Sequence, residues 1–306
     1  MDINGDEIMR KKMSIRDIPK EEAMWPGNPA CQGCGGSLAG RLVYKALGRN
    51  SVRVEIASCA PGFMNIRVPS FYAPAFEGAA AFMTGLARGY KLMGREDVVI
   101  AGLIGDGGTV DIGFQGLSAA AERNENIFWF TYDNEAYMNT GGQRSSATPL
   151  FARTATTPIS DTSRGKAEEK KNVPLILAIH RVPYVATASV AYPEDLIEKI
   201  QYGKEIKGFR YMQINSPCPT GWGFEPKDSI KVARLSVESG LWPLYEILEG
   251  RRFRLTYKPK ELKPVTEALK IQGRFRHLST EESNTIQEKT INNWERLLDM
   301  DGKEIF

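Results

Sequence analysis

Short, mostly apolar runs of strand length alternate with helix-spaced stretches along most of this chain. Val52–Ala57, Val98–Ile104, Ile127–Tyr132, Tyr184–Ser189 and Phe209–Ile214 have the length and content of strands buried on both faces of a parallel sheet. Ser37–Leu47, Glu77–Leu92, Asp111–Arg123, Val173–His180, Pro193–Tyr202 and Asp228–Ser239 carry apolar residues at helical spacing. Glu77–Leu92, rich in Ala, Gly and Met, is expected to be a closely packed buried helix. The alternation predicts an α/β protein with a doubly wound, mostly parallel sheet and helices on both faces. Residues 1–28 read as a polar lead-in and 29–240 as the main domain. Residues 241–306 read as a C-terminal extension serving as a subunit contact, with a hairpin over Tyr245–Tyr257. Residues 133–171 show little periodicity and many Gly, Ser, Thr and Asn, and a loop that long is expected to be functional or disordered.

At 306 residues and 42% hydrophobic content, the chain can bury a full core. A net charge of +3 gives no argument for a nucleic-acid partner. No apolar run approaches the roughly 18 residues that would span a membrane. Met1–Glu22 lacks the apolar core of a signal peptide. Four cysteines are too few for a disulfide scaffold. These features together predict a cytoplasmic protein whose reduced thiols are free to hold metal.

Cys31 and Cys34 form a CxxC pair, Cys59 follows a predicted strand, and Cys218 lies in a Ser-Pro-Cys-Pro turn after another. Soft thiolates at this spacing suit either a four-cysteine zinc site or an iron–sulfur cluster. Gly33, Gly35 and Gly36 would let the backbone curl close to such a centre. Gly105-Asp106-Gly107 ends another predicted strand and Asp133-Asn134 ends the next. Magnesium prefers octahedral oxygen ligands, and a carboxylate at a strand end is one. Asp106, the Asn134 side chain and the Ala136 carbonyl therefore read as ligands of a magnesium diphosphate, the signature of thiamine diphosphate enzymes. Two diphosphate oxygens and a water would complete the shell. Gly105 and Gly107 would let phosphate approach, and the following helix would favour its charge. Tyr137-Met138-Asn139-Thr140 would continue over the cofactor, with Asn139 near the reacting centre and Thr140 at phosphate. A thiamine cofactor has use for a redox partner, which tips the cysteines from zinc towards an iron–sulfur cluster.

The stretches CQGCG, FEGAAA, GDGGTVDIGFQGLSAAAERN, YDNEAYMNTGGQRSSATP, PYVATAS, SPCPTGW and ARLSVESGLWPLYEI cover roughly residues 29–250. In them the chain resembles the β subunits of the 2-oxoacid:ferredoxin oxidoreductases, the pyruvate-type branch more than the 2-oxoglutarate-type. The resemblance implies a thiamine diphosphate-binding fold with Mg²⁺ on Asp106, Asn134 and the Ala136 carbonyl. It also implies a [4Fe–4S] cluster on Cys31, Cys34, Cys59 and Cys218, and Asn139 as an active-site residue. The implied reaction is oxidative decarboxylation of a 2-oxoacid, with electrons leaving singly to ferredoxin and coenzyme A taking the acyl group. Ala60-Pro61-Gly62-Phe63 departs from the archaeal pyruvate pattern, which leaves other oxoacids, including oxalate without coenzyme A, open as substrates.

The same resemblance places the glutamate that activates thiamine on an α-type subunit with the pyrimidine domain. It adds γ/δ-type subunits, one of them ferredoxin-like. Glu77 reads as a structural or near-site carboxylate and Glu135 as part of the metal loop. His180 and His277 read as structural or surface groups. The basic stretch Arg251–Arg276, with Phe253, Tyr257 and Phe275, reads as a solvated face or subunit contact, with an acidic-ferredoxin dock as the alternative.

Overall fold

The computed structural model describes residues 13–63 and 65–306. Most of the polar lead-in, residues 1–12, lies outside the described residues, and so does the side chain of Phe63 in the divergent stretch.

The predicted strands, joined by Ser70–Tyr72, which the sequence reading lacks, form one eight-stranded sheet. Its members are β1 (Ser51–Glu55), β2 (Ser70–Tyr72), β3 (Val99–Gly105), β4 (Phe128–Asp133), β7 (Tyr184–Ser189), β8 (Arg210–Asn215), β9 (Tyr245–Leu248) and β10 (Arg252–Leu255). The order is β10-β9-β7-β8-β4-β3-β1-β2, with β9 antiparallel to both of its neighbours and all other pairs parallel. A separate two-stranded ribbon, β5 (Ile159–Ser160) and β6 (Ser163–Arg164), interrupts the long loop. Side chains alternate across the sheet, as period-two geometry requires. Trp129 of β4 enters the first core, while Phe128 and Phe130 enter the second.

The first core is covered by α3 (Ala79–Leu92), α5 (Phe114–Glu122), α6 (Val173–Ile179) and α11 (Thr280–Met300). The second is covered by α1 (Gly35–Leu47), α7 (Pro193–Glu205) and α9 (Ser229–Glu238). Short helices α2 (Ala60–Phe63), α4 (Asp106–Val110), α8 (Pro219–Trp222) and α10 (Val265–Leu269) complete the chain. No helix among the described residues is long and apolar enough to cross a membrane.

Three details differ from the sequence reading, and a fourth agrees with it in part. The predicted Asp111–Arg123 helix forms only from Phe114, as α5, and a separate turn, α4, precedes it over Asp106–Val110; between them lies Gly113, where a Cβ would collide with the Gly108 carbonyl. Helix α3 buries only Ala79, Ala80 and Met83 and leaves Leu92 89% exposed, so it is not the buried helix its composition suggested. The Tyr245–Tyr257 hairpin forms and β9 pairs with β7, while Trp294 and Leu297 of α11 enter the first core. The sheet thus runs on past residue 240. In the basic stretch, Phe253 and Phe275 are buried, Arg254 pairs with Glu246 at 2.6 Å, and Lys263 pairs with Glu238 at 2.8 Å. Its aromatic residues are tied into the fold, while Arg251, Lys258, Lys260, Lys263 and Lys270 stay exposed as a solvated face.

Candidate active site at the sheet's carboxyl edge

Parallel strands deliver their following loops to one edge, and ligands bind where successive connections diverge. Here β1 leads outwards to β2, while β3 lies on its other side. Across the sheet, the neighbours β8, β4, β3 and β1 end just before Cys218, Asn134, Asp106 and Cys59. Four candidate residues far apart in sequence therefore stand in a row along one edge.

Asp106 is the first residue of α4, only 1% exposed, and its Oδ2 accepts a hydrogen bond from the Ser145 hydroxyl. Burial, reinforced by Asp133, pushes its carboxyl well above the usual range. A divalent cation would reverse that cost by pairing the charge. The Asn134 carboxamide faces both Asp106 Oδ1 and the Ala136 carbonyl, its terminal atom 2.9 Å from each, and its NH₂ end can donate to both. Turned over, the amide would place an oxygen in that position. Adjacent oxygens of a magnesium octahedron are about 3 Å apart, given metal–oxygen distances of about 2.1 Å. One carboxylate, one amide and one carbonyl at this spacing fit Mg²⁺.

Gly107 makes room for a ring: a Cβ there would run into Tyr137, whose hydroxyl donates to the Gly107 carbonyl at 3.2 Å. Gly105 faces the Tyr132 hydroxyl. Both glycines thus admit tyrosines close to the strand end, a reason additional to phosphate approach. Because α4 is a single turn, its dipole is weaker than a helix from Asp111 to Arg123 would supply. Thr140 is exposed and its hydroxyl donates to the Tyr137 carbonyl and to Gln143. Asn139 is exposed beside it. Met138 lies against Gly221 and packs with Cys218 and Trp222, so it spans the gap between the Asn134 loop and the last cysteine.

Cys34 caps α1, its sulfur accepting the Ser37 N–H at 3.4 Å, and Cys218 caps α8 in the same way from Gly221 at 3.3 Å. Cys59 immediately precedes α2. The Gly35 N–H donates to the Pro217 carbonyl at 3.0 Å, bringing the CxxC turn onto the Cys218 turn. A Cβ on Gly35 would lie 2.6 Å from the Pro217 nitrogen, and one on Gly33, at φ +70°, 2.5 Å from the Pro226 carbonyl. These glycines let protein backbones meet. Burial raises the Cys59 thiol to about 12, and Cys218, Cys34, Cys31 and Asp106 add to it. Burial raises Cys218 to about 11, with Cys34 and Cys31 contributing. The four thiols lie within one electrostatic neighbourhood. Among the described residues no three His, Cys, Asp or Glu side chains form a group that could hold a metal ion, so the sulfurs share a region without closing into a ligand set.

Glu77 precedes α3 and is exposed, whereas Glu135 is buried in ion pairs with Arg274 and Lys170. His180 faces Ser118 at 3.0 Å, and the His277 carbonyl accepts Arg164 at 2.9 Å. Sequence reasoning missed Ser145, Trp222, Lys170 and Arg274. Ser145 and Trp222 stand inside the GGQRSSATP and SPCPTGW stretches, and Arg274 inside KIQGRFRHL, a further stretch of the same resemblance; nothing local marks Lys170.

Residues 58–214 match the thiamine pyrophosphate enzyme, C-terminal TPP binding domain. The chain is 49% identical over 277 residues to pyruvate synthase subunit PorB of Methanothermobacter thermautotrophicus, covering 89% of this chain and 96% of that one. It is 41% identical over 302 residues to ketoisovalerate oxidoreductase subunit VorB of Pyrococcus furiosus, covering 95% and 96%. The solved 2-oxoglutarate:ferredoxin oxidoreductase from Magnetococcus marinus superposes with a TM-score of 0.56 at 24% identity, over 71% of this chain and 80% of that one, a likeness of fold. A thiamine diphosphate-binding α/β fold, matched along almost its whole length by such subunits, makes this chain a β subunit of the 2-oxoacid:ferredoxin oxidoreductase family.

Proposed function

We propose that this subunit binds thiamine diphosphate through Mg²⁺ held by Asp106, Asn134 and the Ala136 carbonyl, and a [4Fe–4S] cluster through Cys31, Cys34, Cys59 and Cys218. In complex with its partners it decarboxylates a 2-oxoacid oxidatively, pyruvate before branched-chain acids, given the higher identity to the pyruvate synthase subunit. One observation carries this reading: neighbouring strands place Asp106 and Asn134 between Cys59 and Cys218 on one edge. Thiamine diphosphate supplies the electron sink that lets a carboxylate leave as CO₂.

The chain's own residues position and shield that chemistry. Ser145 fixes one Asp106 oxygen and leaves the other for metal. Tyr137 packs over Gly107, and Met138 fills the space towards Cys218, keeping water from the route between cofactor and thiols. Gly105, Gly107 and Thr140 would border the diphosphate, and Asn139 on the exposed rim would face the reacting centre. An α-type subunit closes over that rim with the pyrimidine domain and the activating glutamate. Electrons leave through a ferredoxin-like γ/δ-type subunit to soluble ferredoxin, and coenzyme A takes the acyl group. The segment 241–306 contributes subunit contact.

The test is to assay the anaerobically purified complex for ferredoxin reduction with pyruvate, 2-oxoisovalerate, 2-oxoglutarate and oxalate, each with and without coenzyme A. Coenzyme A-dependent turnover with pyruvate fastest is expected. Turnover of oxalate without coenzyme A would overturn the substrate assignment. Inactivity on all four, with zinc in place of iron, would overturn the whole reading.

A further inference from the structure

The two magnesium ligands on the β4 loop flank a residue in an unusual conformation. Glu135 has φ +66°, a left-handed backbone that non-glycine residues rarely adopt. Its geometry brings the Asn134 side chain and the Ala136 carbonyl to the same place, facing Asp106. Such a conformation persists only where its surroundings over-determine it.

The surroundings here are charged and buried. Glu135 is 6% exposed, with Arg274 2.5 Å from Oε2 and Lys170 3.1 Å from Oε1. Lys170 also pairs with Asp133 at 2.7 Å, and Gln213 donates to the same carboxylate at 2.6 Å. The Glu135 N–H donates to Asp133 Oδ1 at 3.0 Å, and its carbonyl accepts the Thr148 hydroxyl at 2.6 Å. Arg274 is itself fixed: its guanidinium lies 3.9 Å over the Trp222 ring and its Nε donates to Gln272 at 2.9 Å. Trp222 closes the circuit by donating to the Asn134 carbonyl at 2.7 Å. A cavity of about 490 Å³ adjoins the cluster and is lined in part by Glu135, Lys170, Arg274 and Asn215. Two carboxylates and two cations balance there, so the cavity requires no ion of its own, and what the charges do is hold the loop.

We propose that Glu135, clamped by Arg274 and Lys170, is a positioning residue for the cofactor: it sets Asn134 and the Ala136 carbonyl at magnesium spacing, so that Arg274, near the C-terminal end, governs affinity for Mg–thiamine diphosphate. This rests on the reading that Asp106, Asn134 and Ala136 hold that cofactor. Removing a group that orients a metal ligand costs about 10- to 100-fold in affinity, and a buried guanidinium fork is poorly replaced by an ammonium.

The experiment strips the assembled complex of cofactor and titrates it with thiamine diphosphate at fixed Mg²⁺. Binding is read by calorimetry, and kcat is measured at saturating cofactor. Arg274→Gln is expected to weaken binding about 10- to 100-fold, with kcat falling far less and Arg274→Lys falling between parent and Gln. Glu135→Gln, which keeps the side chain's size, carries the test if Arg274→Gln does not fold, as judged by circular dichroism. Binding within twofold of the parent in the folded variants overturns the positioning role, provided Asp106→Ala has lost binding. If Asp106→Ala binds as the parent does, the underlying cofactor reading fails instead.

Discussion

Between Asp133 and Ala136 the chain is held by charge, whereas between Cys31 and Gly35 it is held by shape. The first segment lies inside the protein, with ion pairs to Lys170 and Arg274 and hydrogen bonds from Gln213, Thr148 and Trp222. The second has an exposed Cys31 and reaches its neighbours through backbone approaches at Gly33 and Gly35 that no side chain could share. The chain alone sets the spacing of the proposed magnesium ligands; the four thiols are only brought into one region. The two halves of the site should therefore fail in different ways, the cofactor loop to a change of charge and the cysteine turns to added volume or a lost sulfur.

Asp106→Ala should give the largest effect. It removes the single carboxylate among the three proposed ligands, and thiamine diphosphate affinity should drop more than ~100-fold, since even outer partners of a metal site are worth about 10- to 100-fold. Calorimetry on the stripped complex reads it, and retained affinity would break the contrast from the charge side. Cys218→Ser should come next. Iron and acid-labile sulfide should fall steeply and ferredoxin reduction with them, while thiamine diphosphate binding stays near the parent's. Equal loss of both cofactors would mean that the two halves are one unit.

Gly35→Ala sharpens the comparison by adding one methyl group. Its Cβ would sit 2.6 Å from the Pro217 nitrogen and 2.7 Å from the Pro217 carbonyl oxygen, so a backbone must move. The expected cost is about 1–3 kcal/mol, read as a lower denaturation midpoint together with lost iron and unchanged cofactor affinity.

The smallest effect should lie away from both halves, at the start of α11. There the Arg164 guanidinium, helped by the Ser279 N–H, holds the Glu282 carboxyl down to about 2. The folded value lies below the unfolded one near 4.3. Its contribution is therefore complete above about pH 4.5 and is lost as the pH falls towards about 2. The pair is partly open to solvent, so Arg164→Gln should remove no more than about 1 kcal/mol. The difference in melting temperature between variant and parent should shrink over that acid range, with site chemistry unaltered.

What the sequence made legible follows from what is local. Asp106 and Asn134 could be found because each ends an apolar run, and strand ends are visible in a single segment. The cysteines were legible by type and spacing, but their convergence needed the strand order, which puts β8 beside β4 and β1 beside β3. Lys170 and Arg274 were hidden because their partners lie 35 and 139 residues away in the chain. No pattern of period two or 3.6 encodes such a pair. The misreading of α3 has the same root: Ala and Gly report that something can approach closely, without saying that this chain supplies it. Strand β2, three exposed residues between Pro69 and Pro74, is too short to show a period of two.

The most direct test of the two-part site is optical. The anaerobic complex, with and without Mg–thiamine diphosphate, is mixed with pyruvate while its visible iron–sulfur absorbance is followed. Bleaching that requires both the oxoacid and the bound cofactor, and that disappears in Asp106→Ala and Cys218→Ser alike, is the predicted result. Bleaching without thiamine diphosphate, or a colourless complex that still turns over pyruvate, would contradict it.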